Sequence, residues 1–127
     1  MDNEEKYNIE VKVRTVYLPD QSDPGAERHV FAYTITINNT GSVASRLVSR
    51  HWIITSGDGS VHEVRGLGVV GEQPILKPGE SFEYTSGTAI SSPAGSMKGS
   101  YQMVAEDGFH YSVEIPEFIL SVPRVLH

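Results

Sequence analysis

HVFAYTITINN, residues 29–39, places Phe31, Tyr33, Ile35 and Ile37 at every second position, with Val30, Ala32, Thr34 and Thr36 between them. Successive side chains of a β-strand point to opposite faces, so the stretch reads as a strand with a core face and a wetter face. The same period recurs on both sides of it. In IEVKVRTVY, Ile9, Val11, Val13 and Tyr17 alternate with Glu10, Lys12 and Arg14. Phe82 and Tyr84 alternate within SFEYT, Tyr101, Met103 and Ala105 within SYQMVAE, and Tyr111, Val113 and Ile115 within HYSVEI. No window sustains a helical period.

Turn residues separate these runs. Asn39-Thr40-Gly41, Asp58-Gly59 and Asp107-Gly108 tolerate positive φ and suit hairpins, and Lys77-Pro78-Gly79 suits a turn entering the strand near Ser81. Strands at roughly 10–15-residue spacing, about seven in all, predict an all-β fold. The architecture expected is an antiparallel two-sheet sandwich of fibronectin type III or immunoglobulin-like character, one domain over residues 1–127. Leu18 to Arg28 reads as a polar loop.

Two places break the alternation. After Ile115 the apolar parity switches to Phe118, Leu120 and Val122, with Pro116 at the slip. That predicts a bulge or bend and a C-terminal strand on a sheet edge. LVSRHWIIT is apolar on both parities, with Val48, Trp52 and Ile54 on one and Leu47 and Ile53 on the other. It reads as a strand covered on both faces, with Trp52 inside, or as one with a sticky face.

The 127 residues contain no cysteine, so thiolate metal sites and disulfides are excluded, and a reducing cytoplasm is the expected setting. The acidic N-terminus does not read as a signal peptide, and no segment has the length of a membrane span. A formal net charge of −6 argues against nucleic acid and anionic membrane as partners.

Gly66-Leu67-Gly68-Val69-Val70-Gly71 matches G-x-G-x-x-G, but EQPILKPGE follows it. The prolines leave no room for the helix whose N-terminus a dinucleotide fold aims at pyrophosphate. A glycine-rich turn still offers an anion nest beside Arg65, while Glu63 and Glu72 would weaken it. The alternatives are a backbone turn that serves packing alone and a peptide-binding loop. His29, His51, His62, His110 and His127 show no metal-ligand spacing and read as solvated strand positions. Ser91, Ser92 and Ser96 lie in a loop without a nucleophile motif, so no enzyme is indicated and no cofactor is called for. Arg46, Arg50 and Trp52 share a strand parity and form a candidate partner-binding cluster, unless Trp52 points inward.

Several stretches together resemble the ApaG family: SRHWIIT at 49–55, EVRGLGVVGEQP at 63–74, PGESFEYTSG at 78–87, GSMKGSYQM at 95–103 and LSVPRVLH at 120–127. One position departs, since Leu67 stands where the family usually has an acidic residue. The resemblance implies a fibronectin type III-like sandwich, a bacterial cytoplasmic setting and a role in protein interaction. It also implies pyrophosphate or nucleotide contacts at Gly66, Gly68 and Gly71 and an indirect link to magnesium and cobalt handling. The reading is thus a non-catalytic binding module for a protein partner, with pyrophosphate or nucleotide binding at the loop as the alternative.

Overall fold

A computed structural model describes residues 6–123. The strands are β1 (Ile9–Tyr17), β2 (His29–Asn39), β3 (Ser45–Ser56), β4 (Val61–Leu67), β5 (Ile75–Leu76), β6 (Ser81–Ile90), β7 (Ala94–Ala105) and β8 (His110–Ser121). Two antiparallel sheets form, one in the order β1-β2-β6 and the other β4-β3-β7-β8, with β5 pairing the start of β3. The expected sandwich is present, and β5 is a two-residue addition to seven long strands. The polar loop carries two short 3-10 turns, Pro19–Gln21 and Pro24–Ala26.

The predicted core faces point inward. Phe31, Tyr33, Ile35 and Ile37 are all buried in β2, the central strand of its sheet. Trp52 lies edge-on to Tyr33, Tyr101 and Phe118, at 5.4, 6.4 and 5.9 Å between ring centroids. Each such aromatic pair adds about 0.5–1.5 kcal/mol beyond the area it buries. Trp52 is only 2% exposed. It belongs to the core and is withdrawn from the candidate partner surface.

Both breaks in alternation are bulges. Met97 pairs with Phe118 and Gly99 with Ile115, so Lys98 faces both Pro116 and Glu117. The proline sits where no ladder donor is needed, and β8 is an edge strand as expected. In β3, Leu47 pairs with Met103 and Ser49 with Gln102, leaving Val48 as the extra residue. Leu47 before the bulge and Trp52 and Ile54 after it are all buried, which explains the double parity. It follows that Arg46 faces outward, whereas Arg50 shares the inner face with Trp52. The two arginines do not share a face.

Asp58-Gly59 and Asp107-Gly108 close three-residue hairpin loops, each ended by a left-handed glycine. Asp58 accepts from the Ser91 and Ser60 hydroxyls at 2.6 and 2.7 Å, which holds its carboxyl far below the usual range. Lys77-Pro78-Gly79-Glu80 is a turn with Gly79 at φ 86. The hairpin expected at Asn39-Thr40-Gly41 is a correction: β2 and β3 lie in different sheets, so this segment crosses between layers. Its polar anchor is internal. Asn39, with 0% exposure, donates to the Val43 and Leu76 carbonyls, both at 2.9 Å, and accepts from the Gly41 amide at 2.9 Å.

One polar contact bridges the layers inside the core. The Tyr84 hydroxyl of β6 lies 2.5 Å from the Tyr101 hydroxyl of β7, both side chains being buried. Burial pushes both phenols well above the ordinary value near 10. The folded state therefore holds protons that the unfolded chain releases above about pH 10, so stability is intact below that pH and falls above it. With both groups engaged the slope approaches about 3 kcal/mol per pH unit. Denaturant melts between pH 9 and 11.5 are expected to show this loss, reduced in Tyr84→Phe; a flat profile would contradict it.

Candidate functional site

The glycine run sits where an edge strand splits. β4 pairs with β3 from Thr55–Val61 to Ser49–Leu67, leaves it at the Val48 bulge, and the chain rejoins β3 as β5 opposite Ser45 and Arg46. Between the two pieces, the Val48 carbonyl accepts from the Gly68 amide at 2.8 Å and from Gln73 Nε2 at 2.9 Å. The Leu47 amide donates to the Pro74 carbonyl at 2.9 Å. Val69 is fully buried, and Val69 and Glu72 exchange main-chain hydrogen bonds of 2.8 and 2.9 Å. The turn they close has Val70 at φ 43 and Gly71 at φ 80, the left-handed pair of a type I′ turn. A β-branched residue there is strained, and Val70 is half exposed.

Arg50 holds this loop from inside. Its Nη1 donates to the Leu67 carbonyl at 3.0 Å and the Gly68 carbonyl at 2.8 Å. A Cβ on Gly66 would lie 2.8 Å from that guanidinium, so glycine is what lets the arginine pass. Gly68 has φ 60, and a Cβ there would stand 2.0 Å from the Glu72 carbonyl oxygen. Gly68 and Gly71 thus answer a backbone need and Gly66 makes room for the arginine, and the loop behaves as a latch.

The anion nest is correspondingly reduced. The amides of Gly68, Val69 and Glu72 already donate to main-chain carbonyls, leaving those of Val70 and Gly71 at the tip. Arg65 pairs with His51 on the opposite face from Arg50, its Nη2 3.7 Å from Glu63, so the cation at the loop is Arg50 rather than Arg65. A small pocket of about 240 Å³ does lie inside the latch, between the sheets, lined by Arg50, Tyr33, Tyr84, Ser86, Val70 and Gly71.

A larger groove, about 740 Å³, opens on the outer face of the five-stranded sheet. Arg46 pairs with Ile75 on one side and Val104 on the other, and Val48 reaches the same groove because it is bulged. Pro78 and Ala44 continue the apolar lining, with Arg46, Lys77 and Glu106 at the rim. Sequence reading took Arg46 as a partner residue and Val48 as part of a possible sticky face, and passed over Ile75, Val104 and Lys77 as partner residues. One signal was available: in SYQMVAE, where Tyr101, Met103 and Ala105 face the core, Val104 is an apolar residue on the wet parity.

His51 lies 3.3 Å from Glu63, and His62 and His110 are exposed. His29 departs from the solvated expectation: it is 7% exposed at the start of β2, and its Nδ1 has no hydrogen-bond partner among the described residues. His127 falls outside the described residues. Among the described residues no group of three or more His, Asp or Glu side chains converges to hold a metal ion.

Fold and site together define a class: a two-sheet antiparallel sandwich with one edge divided by a glycine latch. The chain belongs to the ApaG domain family, whose model matches residues 19–105. It is 87% identical to Protein ApaG of Nitrosomonas europaea and 84% identical to that of Nitrosomonas eutropha, each over the full length of both chains. Its structure is similar to the crystal structure of an ApaA protein from Bordetella pertussis, at 53% identity and a TM-score of 0.92, covering 95% of this chain and 98% of that one.

Proposed function

We propose that this protein is a non-catalytic cytoplasmic module that binds a protein partner through the groove beside β5. The observation that supports the reading is the combination of an open apolar floor, Val48, Ile75 and Val104, with Arg46 and Lys77 at its rim. In a chain of net charge −6, the rim of this groove carries two cations, Arg46 and Lys77, against the one carboxylate of Glu106, an excess that favours a partner segment with an apolar anchor next to a carboxylate. Val48, Ile75 and Val104 come from strands β3, β5 and β7, so the floor is rigid and binding orders little of the host.

Selection from a random-peptide library is expected to return such acidic–apolar sequences. Arg46→Glu should weaken the selected peptides at least tenfold without changing the melting temperature, because the Arg46 side chain is exposed. Peptides whose affinity is indifferent to both Arg46→Glu and Val104→Lys would remove the groove.

A second reading is pyrophosphate or nucleotide binding at the latch, to which the indirect link with magnesium and cobalt handling would belong. It draws on the small polar pocket, the Arg50 guanidinium and the free amides of Val70 and Gly71. It is weaker, because the loop's other amides and Arg50 Nη1 are already engaged within the fold.

A further inference from the structure

We propose that β4 is a homodimerisation edge, pairing antiparallel with β4 of a second copy across a two-fold axis at Val64. The inference stands apart from the groove, which lies at the other end of β3.

Three observations carry it. The first is the open edge. The Ser60 carbonyl accepts from Ser56 and the Gly68 amide donates to Val48, so the residues between them that share this parity turn their main-chain groups to β3. Val61, Glu63, Arg65 and Leu67 turn theirs to solvent. The strand has neither proline nor bulge within it to discourage a neighbour, the devices that usually protect an edge.

The second is exposed apolar surface on both faces of that edge. Val61 is 56% exposed and Leu67 74% exposed on the outer face. Val64 shares the inner face with Trp52 yet is 39% exposed.

The third identifies the occupant. The strand reads Val61-His62-Glu63-Val64-Arg65-Gly66-Leu67, and about Val64 it is complementary to its own reverse. Two-fold pairing sets Glu63 opposite Arg65 of the second copy and Arg65 opposite its Glu63. Val61 meets Leu67, His62 meets the small Gly66, and Val64 meets Val64. The parity agrees as well: Glu63·Arg65 and Val61·Leu67 become the hydrogen-bonded pairs, giving about eight main-chain bonds in all. Val64·Val64 becomes the non-bonded pair, where side chains approach most closely. A contact that uses the same patch twice is the form a cyclic dimer requires.

A charge swap tests the register. In sedimentation equilibrium from roughly 10 to 500 µM the wild-type chain should move from 13.9 kDa toward twice that mass. Arg65→Glu and Glu63→Arg should each remain monomeric, with melting temperatures equal to that of the wild type at dilutions where it too is monomeric, since both side chains are exposed. The double variant Glu63→Arg/Arg65→Glu restores opposite charges across the axis and should dimerise again. A wild-type monomer throughout this range overturns the proposal. So does a dimer that survives either single substitution, and so does a double variant that stays monomeric.

Discussion

Gly68→Ala is expected to lose about 3–5 kcal/mol of stability, among the largest effects of any single methyl in this chain. Two terms add. An L-residue held at φ 60 costs about 1–2 kcal/mol relative to glycine. The new Cβ would also stand 2.0 Å from the Glu72 carbonyl oxygen, a main-chain atom that moves only if the turn opens. Opening it draws the fully buried Val69 from the core, worth about 1.5–3 kcal/mol, and breaks the Arg50 bonds to Leu67 and Gly68. Gly71→Ala is the control, because φ is 80 there but nothing lies within 4 Å of the added methyl. It should lose only about 1–2 kcal/mol. Val70→Asn should gain about 1 kcal/mol by placing a residue tolerant of positive φ at the strained tip. Urea midpoints for the three variants check the order; equal losses at Gly68 and Gly71 would mean that the latch is not closed as described. Since Gly68→Ala damages the fold, lost ligand binding in that variant would say nothing about anion contacts.

Asn39→Asp is the second large effect, and its pH dependence is distinctive. The fully buried Asn39 amide donates to the Leu76 carbonyl, which is buried, and to the partly buried Val43 carbonyl, so an ionised carboxylate would set three acceptors against one another with little solvent to separate them. The expected loss at pH 7 is about 3–5 kcal/mol, comparable to stranding a charge in a protein interior. Burial and the facing carbonyls raise the folded pKa of the new carboxyl above its unfolded value near 3.9. Its neutral form is then favoured by folding, so the penalty shrinks as pH falls toward 4 and grows as pH rises. Asn39→Ala removes the donor without adding a charge and should cost about 2–3 kcal/mol without that pH dependence. A variant carrying the carboxyl that is no more stable at pH 4.5 than at pH 7, relative to wild type, would contradict this.

Much of the fold was legible because it rests on period two. The inward rows of β2, β6, β7 and β8 were readable residue by residue, and Pro116 marked its bulge by an apolar parity that switched. The Val48 bulge left a similar trace, Leu47 and Trp52 out of phase, but that admits a strand buried on both faces just as well. Only pairing partners separate the two, and with them the faces of Arg46 and Arg50. Asn39-Thr40-Gly41 has hairpin chemistry, yet whether a turn joins neighbours or crosses layers depends on contacts distant in sequence. The Asn39 bond to Leu76 is one of them. The groove was hidden for the same reason, since Val48, Ile75 and Val104 become one floor only when β5 and β7 flank β3. The glycine run was visible as a motif, and its purpose depends on Arg50 reaching across from another strand.

Amide chemical-shift mapping of the isotope-labelled protein, titrated separately with a library-selected acidic–apolar peptide and with pyrophosphate, weighs latch against groove in a single preparation. Saturable shifts at Arg46, Val48, Ile75 and Val104 with the peptide, and none at Val70 or Gly71 with pyrophosphate, are the predicted result. Saturable movement of Val70 and Gly71 with pyrophosphate, the groove residues remaining still in both titrations, would contradict it.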